Sequence, residues 1–140
     1  MRSSILLAAV ALVALAACGS DDTSDAPGSS SSDAATSLTI VVTPDEGATA
    51  STYELTCDPA GGDHPQAEQA CAALAKAGAS VFDAVPADQA CTAIYGGPQT
   101  ATVKGTFDGK DVDASFSRED GCEIDRWEQL GTTFFNVPLQ

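Results

Sequence analysis

The chain is poor in basic residues: 6 Lys plus Arg stand against 20 Asp plus Glu, a net charge of −14 over 140 residues. A polyanion has to be met by clustered cations, so nucleic acid is excluded as a partner. Histidine is scarcer still. His64 is the only one, and no Gly-x-Ser-x-Gly motif supplies a nucleophile for it to serve as base; beside Pro65 it reads as a structural residue, and the chain is expected not to be an enzyme. No internal repeat is present, and no apolar run reaches the roughly 20 residues of a lasting transmembrane helix. Asp108, Asp111, Asp113, Glu119 and Asp120 are acidic enough to suggest Ca²⁺, but their spacing does not fit an EF-hand loop. They read as a solvated face, with no metal and no cofactor expected.

What is present is a leader, a tether and room for one domain. Arg2 gives a positive start, Ile5 to Ala14 an apolar centre, and Leu15-Ala16-Ala17-Cys18 a small-residue cleavage site. The tetrad resembles a bacterial lipobox, which would make residues 1–17 a signal peptide and Cys18 the first mature residue, carrying lipid on its sulfur. Cysteine arithmetic agrees with this reading. Of five cysteines, setting Cys18 aside leaves Cys57, Cys71, Cys91 and Cys122; four in an oxidising compartment imply two disulfides with three connectivities open. Gly19 to Ser37 is Ser, Asp, Ala and Gly without hydrophobic periodicity, too polar to fold and able to span about 20 to 25 Å as a coil. Residues 18–37 are thus a lipidated linker, residues 38–140 the folded domain, and the location extracellular, on the outer face of a bacterial cell membrane.

In the domain, Leu38, Ile40 and Val42 alternate with Thr39, Val41 and Thr43, and Tyr53, Leu55 and Cys57 with Thr52, Glu54 and Thr56. This period of two predicts two strands joined by a turn at Asp45-Glu46-Gly47. Asp58 to Asp63 breaks the second strand. Pro65 then suits a helix's first turn, with Asp63 or His64 as cap; Ala67, Ala70, Cys71, Leu74 and Ala75 recur at helical spacing up to Gly78. In the irregular stretch that follows, Val81, Phe82 and Val85 are expected to cover an edge of the core. Asp108-Gly109 is a hairpin signal whose register pairs Phe107 with Lys110, Gly105 with Val112, Val103 with Ala114 and Ala101 with Phe116. Ile124, Trp127 and Leu130 predict a short helix after Cys122, ending at Gly131, and Thr133 to Val137 reads as a last strand. The fold class is α+β, a five-stranded antiparallel sheet covered on one face by two helices.

Between the first helix and the hairpin lies Cys91-Thr92-Ala93-Ile94-Tyr95-Gly96-Gly97-Pro98. A half-cystine opens this stretch and a Gly-Gly-Pro turn closes it, so it reads as an exposed, tethered loop whose side chains could sit in another protein's pockets.

The ordered combination of Leu38-Thr39-Ile40-Val41, Leu55-Thr56-Cys57-Asp58-Pro59, Gly61-Gly62, His64-Pro65, Ala70-Cys71-Ala72-Ala73-Leu74, Cys91, Ile94-Tyr95, Val103, Gly109-Lys110, Val112, Phe116-Ser117 and Cys122 resembles the Streptomyces subtilisin inhibitor family of secreted protease inhibitors. The resemblance implies the pairings Cys57 with Cys71 and Cys91 with Cys122. It also implies a reactive bond two residues after Cys91, between Ala93 and Ile94, with Cys91, Thr92, Tyr95 and Gly96 as loop contacts. The partner would be a secreted serine protease, and the methyl of Ala93 suits the small primary pocket of a subtilisin-like or elastase-like enzyme. Members often pair through the sheet, so a homodimer stays open, although the wet face here carries Thr and charged residues. Thr92 stands where a restricting residue such as Pro is usual, and Gly96-Gly97-Pro98 and Arg118-Glu119-Asp120-Gly121 both run longer than the family pattern, which predicts slack. The alternative is a surface lipoprotein that keeps the fold as a binding or structural module without inhibiting anything.

Overall fold

The computed structural model describes residues 35–138. The leader, Cys18 and most of the linker lie outside the described residues. Five strands, β1 Thr36–Thr43, β2 Ser51–Cys57, β3 Gly61–Gly62, β4 Thr100–Phe107 and β5 Lys110–Phe116, form one antiparallel sheet in the order β3-β2-β1-β4-β5. Strand β1 begins at Thr36, two residues before the expected domain start. The helices are α1, Ala67–Ala77, and α2, Gly121–Phe135; a 3-10 turn at Ala79–Phe82 follows α1.

Alternation decides which face is dry. Leu38, Ile40, Val42, Leu55, Val103, Val112, Ala114 and Phe116 are buried together with Ala70 and Leu74 of α1 and Trp127 and Leu130 of α2. Thr39, Lys104, Asp111 and Asp113 point the other way, and the cross-strand pairs Thr39–Glu54 and Lys104–Asp113 lie on that wet face. A side chain of the Leu, Ile or Val class contributes about 1.5–3 kcal/mol when fully buried, so a one-residue slip of any strand would be costly. The β4–β5 pairing follows the predicted register at all four positions. Val81 is buried, and Phe82 packs edge-on against Phe107 and Phe116, as expected, whereas Val85 is half-buried and does not join the core.

Two elements differ from the sequence reading. The fifth strand is Gly61–Gly62, not Thr133 to Val137: the chain turns back beside β2, where Asp63 and His64 donate to the Glu54 carbonyl and Asp63 Oδ1 accepts from Glu54 N–H at 2.6 Å. Only glycine fits at Gly62, since a Cβ would overlap the Glu54 carbonyl. The first helical segment of α2 does leave helical geometry at Gly131, at φ 75° and ψ 178°, as expected, but Thr133 to Phe135 form a second short helical segment across that kink instead of a strand. That kink turns both Phe134 and Phe135 into the core, where Phe135 stacks on Trp127 at 4.0 Å between ring centroids and meets Phe116 edge-on.

Helix α1 also starts later than the sequence suggests, with Gln66 at its N-cap and no side-chain cap. Asp63 is committed to β2, and His64 is committed elsewhere. Buried beneath the edge of Tyr53, its Nδ1 accepts from Gln66 N–H at 3.1 Å, which leaves Nε2 to donate to the Phe134 carbonyl at 2.9 Å. The histidine clamps the start of α1 to the end of α2 and is a structural residue.

Candidate functional site

Both disulfides join the pairs that the resemblance implies, Cys57 to Cys71 and Cys91 to Cys122, with Cα separations of 5.8 and 5.4 Å. The first fixes β2 to α1. The second fixes the stretch after Gln89 to the first turn of α2, and Gln89 Nε2 lies 3.4 Å from the Cys122 sulfur. Cys91, Cys122 and Asp120 converge closely enough to suggest a metal site, but both sulfurs are bonded to each other and neither can offer a thiolate.

From Cys91 to Gln99 the chain has no regular secondary structure, and Thr92 to Tyr95 are exposed. Among the described residues, Ile94 and Tyr95 are the large apolar side chains left in solvent, 57 and 68% exposed. An exposed apolar pair next to a fixed backbone marks an interaction surface rather than core. Tyr95 also borders a cleft of about 380 Å³ with Asp45, Glu46 and Glu119 on its rim.

The backbone beneath these side chains is held at three points. On the Cys91 side, the Thr92 carbonyl accepts from Gly121 N–H at 2.9 Å. Gly121 is the first residue of α2, and the first N–H groups of a helix have no partner within it; one of these free donors grips the loop. Asp120 caps the same helix through Oδ1, which accepts from Glu123 N–H at 3.0 Å, and so aims the first turn. Across the middle, Ile94 N–H donates to the Thr92 carbonyl at 2.8 Å, closing a three-residue turn centred on Ala93. On the far side, Gly96 is bonded twice to one residue. Its N–H donates to the Arg118 carbonyl at 2.8 Å, and its own carbonyl accepts from Arg118 Nε at 3.0 Å.

Steric fit reinforces those bonds. A Cβ on Gly96 would come within 2.8 Å of Ile124, and one on Gly121 would strike Thr92 Oγ1. Gly97, at φ 135°, takes a backbone conformation that L side chains rarely adopt, and the chain then enters β4 through buried Gln99. The structure therefore brings Cys91, Thr92, Ala93, Ile94, Tyr95 and Gly96 into one exposed loop and ties the two longer-than-usual segments to each other.

Arg118, Gly121 and Ile124 were not among the expected site residues. Arginine reads as a surface residue by type, yet Arg118 is 7% exposed. The one signal in the sequence was the extra length of the segment that carries it.

A sequence model of the family described as "Subtilisin inhibitor-like" matches residues 34–119. The chain is 35% identical over 97 residues to subtilisin inhibitor-like protein 1 of Streptomyces cacaoi, covering 62% of this chain and 86% of that one. Among solved structures it is similar to Streptomyces caespitosus sermetstatin, crystallised in complex with Bacillus licheniformis subtilisin, at 23% identity and a TM-score of 0.45 over 72% of this chain and 96% of that one.

Proposed function

The chain belongs to the subtilisin inhibitor-like family, and from that premise we propose that it inhibits subtilisin-like or elastase-like serine proteases by presenting the bond between Ala93 and Ile94 as a substrate that is cut slowly and resealed. The observation that carries this reading is the combination at one loop of exposed Ile94 and Tyr95 with a backbone fixed at Thr92, Gly96 and the Cys91–Cys122 bridge.

The protease takes the loop into its cleft as an added strand that bends at the turn centred on Ala93. Its serine attacks the Ala93 carbonyl, the oxyanion is held by the enzyme's backbone donors, and the Ile94 nitrogen leaves as the acyl-enzyme forms. In a free peptide the amine diffuses away. Here the Ile94 side of the cut stays tethered through Gly96 to Arg118 and the Cys91 side through Thr92 to Gly121. The amine remains beside the ester at an effective concentration far above that of any competing nucleophile, so resealing outruns hydrolysis. Because the loop is held before binding, little ordering entropy is lost on association, which favours tight complexes of ordinary interface size.

Ala93 sets the target class. A methyl group fits a small or shallow primary pocket and offers no charge to an acidic one. Titration against an active-site-quantified panel tests the proposal: one equivalent should abolish subtilisin activity and weakly affect trypsin. Degradation without inhibition, or no effect, supports the non-inhibitory binding module instead.

We place the molecule outside the cell, with Cys18 as a lipid attachment site holding it at the outer membrane face. The oxidised cysteines and the family's secreted character support the first part, and the Leu15-Ala16-Ala17-Cys18 tetrad the second. No helix of the described residues is long and apolar enough to cross a membrane. The wet face of the sheet is where a second copy would pair if a homodimer forms.

A further inference from the structure

Arg118 has no carboxylate partner among the described residues. It is 7% exposed, and among the described residues the ion pairs are Lys104 with Asp113 and Arg126 with Glu123, neither of which includes it. One of its terminal nitrogens, Nη1, is buried without an acceptor among the described residues, and its guanidinium carbon sits 6.0 Å from the centre of the Trp127 ring. A buried, unpaired guanidinium weakens a fold, and replacing such a group by an apolar one of similar volume is commonly neutral or stabilising. Among the described residues, its one side-chain hydrogen bond is the one from Nε to the Gly96 carbonyl.

We propose that Arg118 is a positioning residue for resealing: it holds the Ile94-to-Gly96 fragment in register with the acyl group after the Ala93–Ile94 bond opens. This rests on the inhibitor reading above and deepens it.

The geometry gives the reason. Opening the bond frees the Ile94 amine, and the next fixed points on its side are the two bonds from Gly96 to Arg118. On the Cys91 side the fixed points are the bridge to Cys122 and the Gly121 bond to the Thr92 carbonyl. All of these belong to the segment from Arg118 to Cys122. A single short stretch therefore grips both new ends, and their separation is set by that stretch rather than by the whole domain. The Arg118 carbonyl alone would hold Gly96 as a one-bond hinge. Adding Nε makes the contact two-point and fixes rotation, which matters because flexible Gly97 lies immediately beyond.

The step keeps its balance without any added reagent. The Ile94 amine, as free base, attacks the acyl-enzyme ester carbon; the amide bond forms, the ester bond to the enzyme serine breaks, and the amine's proton passes through the enzyme's histidine to the serine oxygen.

The test compares Arg118→Met, an apolar side chain that reaches the ε position with no donor there, with Arg118→Gln, which keeps an uncharged N–H donor at the ε position. Each is mixed with subtilisin, and recovery of protease activity and appearance of inhibitor cut at Ala93–Ile94 are followed by mass spectrometry, with Tm measured in parallel. R118M is expected to keep or raise its Tm, to associate at an unchanged rate, and to release active protease roughly tenfold to a hundredfold sooner, the scale of one hydrogen bond from a charged donor. R118Q is expected to stay within about threefold of the natural chain, less than that hydrogen bond is worth. A merely structural role would lower Tm and lifetime together.

Equal lifetimes for R118M and a durably inhibitory natural chain overturn the inference alone. So does an R118Q that fails as fast as R118M with an unchanged Tm. A natural chain that subtilisin simply degrades overturns the inhibitor reading and this inference together. Should R118M not fold, side-chain hydrogen exchange in the natural chain decides: slow exchange of the Arg118 Nε–H, which donates to the Gly96 carbonyl, supports the two-point grip, and exchange at the rate of a free guanidinium overturns it.

Discussion

At Gly121 a hydrogen atom stands where any other residue would place a carbon against Thr92 Oγ1. The same residue donates to the Thr92 carbonyl, so the fit of the loop depends on contact between a hydroxyl and a bare Cα. Gly121→Ala is expected to push Thr92 outward and weaken protease binding by about 1–3 kcal/mol, the usual cost of overpacking. Combined with Thr92→Ala, which removes the struck oxygen, most of that loss should return; inhibition constants of the two single variants and the double variant measure the coupling. Ala93 makes the opposite kind of prediction, since its side chain is exposed. Ala93→Lys should leave Tm unchanged, create trypsin inhibition and weaken subtilisin inhibition by at least about 2 kcal/mol, the scale of a buried charge left without its partner. If the panel of inhibition constants does not shift, another bond is the one presented. The loop from Cys91 to Pro98 was legible because a half-cystine and a Gly-Gly-Pro turn bracket it, whereas the bond it presents was drawn from the family resemblance. Arg118 was not legible, because whether an arginine lies on the surface or beneath a loop depends on a contact with Gly96, 22 residues away.

Elements divide along the same line between local and distant causes. The β4–β5 hairpin could be registered residue by residue, because a two-residue turn and strict alternation leave one solution. The end of α2 could not: two adjacent phenylalanines after two threonines suit a strand by propensity. What makes them helical is the Gly131 kink, together with Trp127 and Phe116 waiting for Phe135. Likewise Gly61–Gly62 looks like a pure turn until Asp63 and His64 bond back to Glu54. The element that matters most for activity is the first turn of α2, which supplies Cys122 and Gly121 to the loop. Replacing Cys91 and Cys122 together by Ser should lower stability by somewhat under 4 kcal/mol on the chain-entropy estimate for a closure of 31 residues. Denaturant unfolding measures that loss. Under native conditions the loop should then be cut and not resealed, whereas loss of the Cys57–Cys71 bridge should destabilise by about 3 kcal/mol, for a closure of 14 residues, and leave resealing intact.

For the whole molecule, the sheet, the helices and the two bridges form a brace, and the loop at one end is what they brace. The tether reading puts that brace at a membrane surface. Cys18→Ser should release the protein into the medium with its inhibition constant unchanged, detectable by comparing membrane and supernatant fractions; retention in the membrane would mean another anchor. The central claim concerns a single peptide bond. Its most direct measurement is the mass spectrum of the inhibitor recovered from a stoichiometric subtilisin complex after prolonged incubation. The account predicts mostly intact chain, with one minor species cut between Ala93 and Ile94 and held together by the Cys91–Cys122 bridge. Cleavage at any other bond, or complete conversion to fragments, would contradict it.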